Sequence, residues 1–217
     1  LLMIKNIKIL ELFTLGFIFP FSIVIFNLSQ YILIALWAVF IYALILYFVL
    51  YKRKVEFLNF FKFSLKEHKK YIFFIFIRWI IISVLLFFFT KYFFPEKLFF
   101  IQKNNQELLF KILFFYPIIS AYPQEFIFCT FFFLRYSSLF IEDKKIIIMS
   151  AIIFCFSHIF ALNFIAPLLS IFGGYFFAST YKKTKSLMIV SLEHALYGNT
   201  LFYLGLGWFF WGGSVGQ

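Results

Sequence analysis

Residues 31–50 read YILIALWAVFIYALILYFVL, an unbroken run of twenty residues without one charged side chain. A helix rising 1.5 Å per residue covers about 30 Å in that length, the hydrocarbon thickness of a bilayer. Comparable blocks lie on either side, at about 9–28, 71–90, 112–135, 146–163, 165–181 and 187–211. The 217-residue chain is 64% hydrophobic and only 13% charged, with 40 Phe and a mean hydropathy of +0.97. A soluble domain of this size could not hide so much apolar surface. Short alternating polar and apolar segments, the mark of a membrane β-barrel, are absent. The sequence therefore predicts an all-α protein, a polytopic transmembrane helical bundle of about seven spans, with 1–217 forming a single transmembrane domain.

The formal charge of +11 does not point to nucleic acid, because the cations sit in short clusters between the apolar blocks. There they mark cytoplasmic loops and meet anionic headgroups of the lipid bilayer. With the N-terminus inside, Lys5, Lys8, Lys52, Arg53, Lys54, Lys62, Lys66, Lys69, Lys70, Arg135, Lys144, Lys145, Lys182, Lys183 and Lys185 all fall on the cytoplasmic side. Only Lys91, Lys97, Lys103 and Lys111 fall outside, and Arg78 lies within a span. This asymmetry predicts a cell (plasma) membrane protein with a cytoplasmic N-terminus, and the odd span count sends the C-terminus to the other side. Lys5 and Lys8 ahead of the first block read as an uncleaved signal anchor. Residues 52–70, mixing Phe57, Phe60, Phe61 and Phe63 with lysines, read as an amphipathic helix on the cytoplasmic surface.

Ionisable groups inside a span cost several kcal/mol unless they face a partner or a cavity. The spans hold few: Glu11, Arg78, Glu125, His158, Glu193 and His194. Glu11 is near a span end and reads as structural, and Arg78 as a snorkelling group or the partner of a buried carboxylate. Glu193 is open to several partners, Arg78 and His194 among them. Glu125, His158 and His194, on three different late spans, fall at one depth to within about a helical turn. A carboxylate near an imidazole can hold and deprotonate a water, and a second imidazole can donate to an oxyanion. The same atoms could ligate zinc, but no HExxH spacing supports it, and no cofactor is required. Cys129 and Cys155 read as small packed hydrophobes, Gly173-Gly174 as a close helix contact, and Trp208 to Trp211 as an interfacial aromatic belt.

Three short motifs carry a family likeness. Pro123-Gln124-Glu125-Phe126-Ile127-Phe128-Cys129 resembles the Glu-Glu-x-x-x-Arg motif of the CAAX-processing and bacteriocin-processing (CPBP, Abi-type) intramembrane protease family. Phe154 to His158 matches its Phe-x-x-x-His motif, and Glu193-His194-Ala195-Leu196-Tyr197-Gly198-Asn199 resembles His-x-x-x-Asn. The likeness covers about residues 112–211. It implies a peptide hydrolase in which the first-motif Glu and His158 activate water, while His194 and Asn stabilise the oxyanion. It also implies a membrane-associated peptide or protein as substrate.

Three positions depart from the family pattern. Gln124 stands at the first Glu, Cys129 at the Arg, and Gly198 at the Asn, with Asn199 one residue further on. A step of five residues turns a regular helix about 140° away from His194, so Asn199 reaches inward only through a local bulge. Without the arginine, Glu125 is expected to be unpaired and to serve as the base in place of Gln124. The expected catalytic set is thus Glu125, His158, His194, Asn199 and Gln124. The alternatives are a catalytically impaired relative acting as a peptide-binding, immunity or scaffold protein, and a proton-coupled carrier using the same groups as a relay.

Overall fold

A computed structural model of the chain describes residues 2–51 and 65–211. Most of the stretch 52–70, expected to form a surface helix, lies outside the described residues. Among the described residues the regular structure is helical throughout. The elements are α1 (Leu2–Phe13), α2 (Phe19–Ile25), α3 (Ile32–Leu50), α4 (Leu65–Phe93), α5 (Phe100–Asn104) and α6 (Gln106–Tyr116). They continue with α7 (Tyr122–Glu125), α8 (Phe132–Tyr136), α9 (Asp143–Phe156), α10 (Ile165–Thr184) and α11 (Leu187–Leu204). Five stretches are long and apolar enough to cross a membrane: Met3–Ile25, Ser29–Leu50, Glu67–Phe93, Gln106–Leu139 and Asp143–Ala161. The protein is an all-α membrane bundle. The remaining two expected spans correspond to the helices α10 and α11.

The apolar exterior agrees with lipid as the solvent. On α4, Phe73, Phe74, Ile77, Ile80, Ile81, Val84, Leu85 and Phe88 are all exposed. In water such a face would drive aggregation, whereas in hydrocarbon it has no transfer cost. The polar groups turn inward instead.

The two halves of the chain are joined by specific contacts. The Arg135 guanidinium on α8 meets Glu11 on α1, with Nη2 2.5 Å from Oε2 and Nε 3.1 Å from Oε1. Tyr136 donates to the same carboxylate at 2.8 Å. The Phe40 ring of α3 meets Phe126 edge to face with centroids 5.3 Å apart. Gly174 brings α10 against α9: a Cβ there would lie 3.0 Å from Phe154 Cβ and 3.1 Å from Ala151 Cα. The expected close helix contact is therefore made, and Gly174 is the residue that makes it.

The fourth span is continuous but not regularly α-helical. A five-residue π segment at Pro117–Ala121 and a six-residue one at Phe126–Phe131 flank α7. Each π turn widens the helix by about one residue and so rotates the following side chains to a new face. Pro117 and Pro123 remove two backbone donors in this region, which weakens the regular ladder and favours the wider turns. The Ser150 hydroxyl of α9 donates to the Phe128 carbonyl at 2.7 Å inside the second π segment. Gln124 and Glu125 sit between the two bulges.

Candidate active site

Between α1–α4 and the later helices lies a cavity of about 670 Å³. Its wall is largely apolar, with Ile23, Leu36, Val39 and Leu86 among the lining residues, and its polar groups are few. They come from Tyr116, Ser120, Gln124, Ser157, His158 and His194, together with Tyr136, Ser170, Tyr197 and Tyr42. A large apolar chamber with a small convergent polar group is the usual form of a binding site.

His194 projects from the middle of α11 and is buried. Its Nδ1 lies 2.7 Å from Glu125 Oε1, so the ring donates Nδ1–H to the carboxylate. Its Nε2 lies 2.8 Å from the Tyr116 hydroxyl. Phe177 stacks on the ring with centroids 4.5 Å apart, and Phe154 packs against it edge-on at 5.6 Å. Two hydrogen bonds and two aromatic faces leave the imidazole one orientation.

His158 belongs to the turn that follows α9. The helix unwinds at Ser157, and the His158 Nδ1 is 2.8 Å from the Phe154 carbonyl. A carbonyl only accepts, so Nδ1 carries the proton and Nε2 is left with its lone pair. Phe154 stands between the two histidines, 4.7 Å from the His158 ring. Both imidazoles line the one cavity.

Glu125 is fully buried and does not line the cavity. The carboxylate expected to be unpaired faces His194 instead, and the Cys129 thiol lies against it. Gln124 does line the cavity. Its Nε2 donates to Ser120 Oγ at 2.8 Å, and its Oε1 is buried without a partner.

Asn199 does not meet His194. The helix α11 runs unbroken from Leu187 to Leu204, so the bulge needed to turn Asn199 inward is absent. Its side chain donates to the Leu113 carbonyl at 3.1 Å, one turn before Tyr116. The structure thus brings Glu125 and His194 into contact, puts Gln124 and His158 on the same cavity, and leaves Asn199 outside it.

The buried Glu193 and the half-buried Arg78 form a second polar group beside the cavity. They are joined by an ion pair between Nη2 and Oε1, and Arg78 also donates to Thr180 at 3.1 Å and Tyr197 at 2.9 Å. Glu193 therefore faces Arg78 and not His194. The terminal aromatics, expected at the membrane interface, divide. Gly205 ends α11 in a left-handed conformation (φ 93°) and folds the chain back. Phe210 then packs on His158 at 5.6 Å, held by Asn163 donating to the Phe209 carbonyl at 2.7 Å. Trp208 covers the Lys97 ammonium at 3.9 Å.

Residues 105–210 match the family model described as type II CAAX prenyl endopeptidase Rce1-like. Over that stretch the chain resembles the Rce1-like family. The stretch holds Tyr116, Gln124, Glu125, His158, His194 and Asn199, and the family to which it is matched is a protease family. No curated protein and no solved structure matches the chain. Among the described residues no three of the His, Cys, Asp and Glu side chains are grouped to hold a metal ion.

Sequence reasoning missed Tyr116 in the Rce1-like region. An inventory of ionisable groups passes over a tyrosine, although a buried phenol also needs a hydrogen-bond partner. The usable signal was the glycine at 198, which leaves a gap beside His194 that another side chain must fill.

Proposed function

We propose that the chain is an intramembrane endopeptidase of the CAAX-processing and bacteriocin-processing type, hydrolysing a membrane-associated peptide held in the apolar cavity. The observation that carries this reading is the pair of histidines on one cavity wall, each with its ring proton assigned by a fixed acceptor. His158 donates Nδ1–H to the Phe154 carbonyl, so its Nε2 is the proton acceptor offered to a water. Gln124 lines the same cavity, but its Oε1 is buried and is not presented to that water. An amide cannot take the proton, so the base in this scheme is His158. Attack on the scissile carbonyl places negative charge on its oxygen; with its proton held on Nδ1, His194 has an acceptor at Nε2 and serves that oxygen by holding the Tyr116 hydroxyl, a donor, beside it. Glu125 acts through His194, holding Nδ1–H as a buried carboxylate holds a catalytic histidine in other hydrolases. Asn199 acts at one remove, tying α11 to the end of α6.

The test uses the protein reconstituted in lipid vesicles with an internally quenched peptide bearing a prenylated cysteine three residues from its C-terminus. Cleavage should be lost, by at least about a hundredfold, in His158→Ala and in His194→Ala. Unchanged turnover in both variants would sink the assignment.

A second reading, a family member without turnover that binds membrane peptides, is favoured by Gln124 at a carboxylate position with its amide engaged by Ser120. Gln124→Glu combined with Cys129→Arg separates the two. If that double variant cleaves the peptide and the natural chain does not, the natural chain is a binding protein.

The N-in, C-out orientation, residence in the cell membrane and seven crossings belong to the same proposal. They rest on the distribution of Lys and Arg and on the lengths of α10 and α11.

A further inference from the structure

The third motif lacks its asparagine, and the space beside His194 is taken by a residue from another helix. On the regular helix α11, position 198 lies four residues after His194 and so on the same face. A Cβ built at Gly198 collides with the Tyr116 phenol, its hydroxyl oxygen included. The phenol therefore occupies the volume a side chain at 198 would fill, and only glycine permits it. Its hydroxyl is 2.8 Å from His194 Nε2, and Tyr116 lines the cavity with Gln124, His158 and His194. Two further contacts hold it there: the ring packs on Phe202 with centroids 5.2 Å apart, and Asn199 takes the carbonyl of Leu113 three residues earlier.

We infer that Tyr116 is a catalytic residue, the oxyanion donor that stands in for the side chain absent at position 198. The inference rests on the peptidase reading and deepens it. A phenol hydrogen rotates about the Cζ–O bond, so the hydroxyl that bonds His194 Nε2 turns to a developing oxyanion when one forms. Donors aimed at charge that appears only in the transition state raise turnover more than binding. No covalent bond to Tyr116 forms, and the proton it donates stays on its oxygen as a hydrogen bond. Tyr116 and Gly198 act as a pair: a side chain at 198 and the phenol exclude one another.

The first arm of the test is turnover of the quenched prenylated peptide by Tyr116→Phe. This variant keeps the ring that fills the Gly198 gap, and its fold is checked by monodispersity in detergent. We expect kcat to fall about 10²-fold, the cost of one oxyanion donor, with KM changed less than about threefold. Tyr116→Ala should lose at least as much, and Tyr116→Ala with Gly198→Asn, which moves the donor back onto α11, should recover about tenfold over it. Unchanged kcat in Tyr116→Phe, or a loss confined to KM, overturns the inference while leaving the peptidase reading intact.

The second arm needs no turnover. A phosphonate analogue of the peptide, bearing an anionic oxygen at the scissile position, is compared with its uncharged ketomethylene counterpart in binding. Tyr116→Phe should weaken the phosphonate at least about tenfold and the ketomethylene less than about threefold. Equal binding of the phosphonate by the two proteins, or no binding by either, overturns the inference. If the natural chain cleaves nothing but this differential holds, it is the turnover claim that fails and the donor assignment that stands.

Discussion

Replacing Glu11 by Gln should loosen the attachment of α1 to the motif-bearing span. Glu11 and Arg135 are each about nine-tenths buried, with side-chain exposures of 9% and 10%. Removing one partner of such a pair leaves an uncompensated charge and costs about 3–5 kcal/mol. Arg135 lies at the end of its span, where a long stem can carry the guanidinium toward water, and this argues for the lower value. The Gln amide oxygen still accepts from Tyr136, so no further loss is added there. We therefore expect about 3 kcal/mol, or a fall of about 6–12 °C in Tm for a chain of this length. The protein carries its own reporter: Cys129 is a free thiol with 1% exposure, which a fluorogenic thiol reagent reaches only on unfolding. Thermal scans in detergent, in a Cys155→Ala background, would compare Glu11→Gln with Glu11→Gln/Arg135→Met. The double variant should return to within about 1 kcal/mol of the parent, because no buried charge remains. A single variant that melts within about 2 °C of the parent, or a double worse than the single, would refute the reasoning.

Gly174→Leu should separate α9 from α10, because its side chain has no room beside Phe154 and Ala151. A loss of about 1–3 kcal/mol is expected in the same thermal assay, and turnover should fall because Phe154 supports both histidines. Arg78→Met should cost about 3 kcal/mol by leaving Glu193 buried without its cation, and Arg78→Met/Glu193→Leu should recover most of it. Single cysteines at Ser138 and Asn104, in a cysteine-free chain, should label from opposite sides of sealed vesicles, with Ser138 cytoplasmic. Labelling of both from one side would contradict the proposed orientation.

Much of the bundle was legible before any tertiary contact. Run length identifies helices in lipid, since every backbone group must be satisfied within its own segment once water is gone. Each of the seven apolar blocks read from the chain contains helix, although the fifth unwinds at Ser157 and the helix of the seventh ends at Leu204. The irregularities were less legible. The π segments beside Gln124–Glu125 follow from prolines and packing together, and a one-dimensional pattern does not say which turn will widen.

The candidate site divides along the same line. Charge inside an apolar block is costly, so Glu125, His158 and His194 announce themselves by residue type alone. Their partners do not, because a partner depends on which helix faces which. Glu125 reads as an orphan along its own helix, since the family's arginine position holds Cys129, yet across the bundle it meets His194. Asn199 reads as a misplaced motif residue, and the unbroken helix α11 turns it to Leu113. Tyr116, unremarked in the linear chain, reaches the site because Gly198 leaves it space.

The sequence by itself determined that this protein is a membrane-embedded helical bundle with a few polar groups inside its apolar blocks. Hydrophobic transfer acts on each segment regardless of its neighbours, and so leaves its mark in the order of residues. Only the tertiary structure decided which polar groups hold one another and which side chain fills the gap at position 198. Those are matters of distance between helices remote in sequence, and a few ångströms separate a hydrogen bond from no interaction at all.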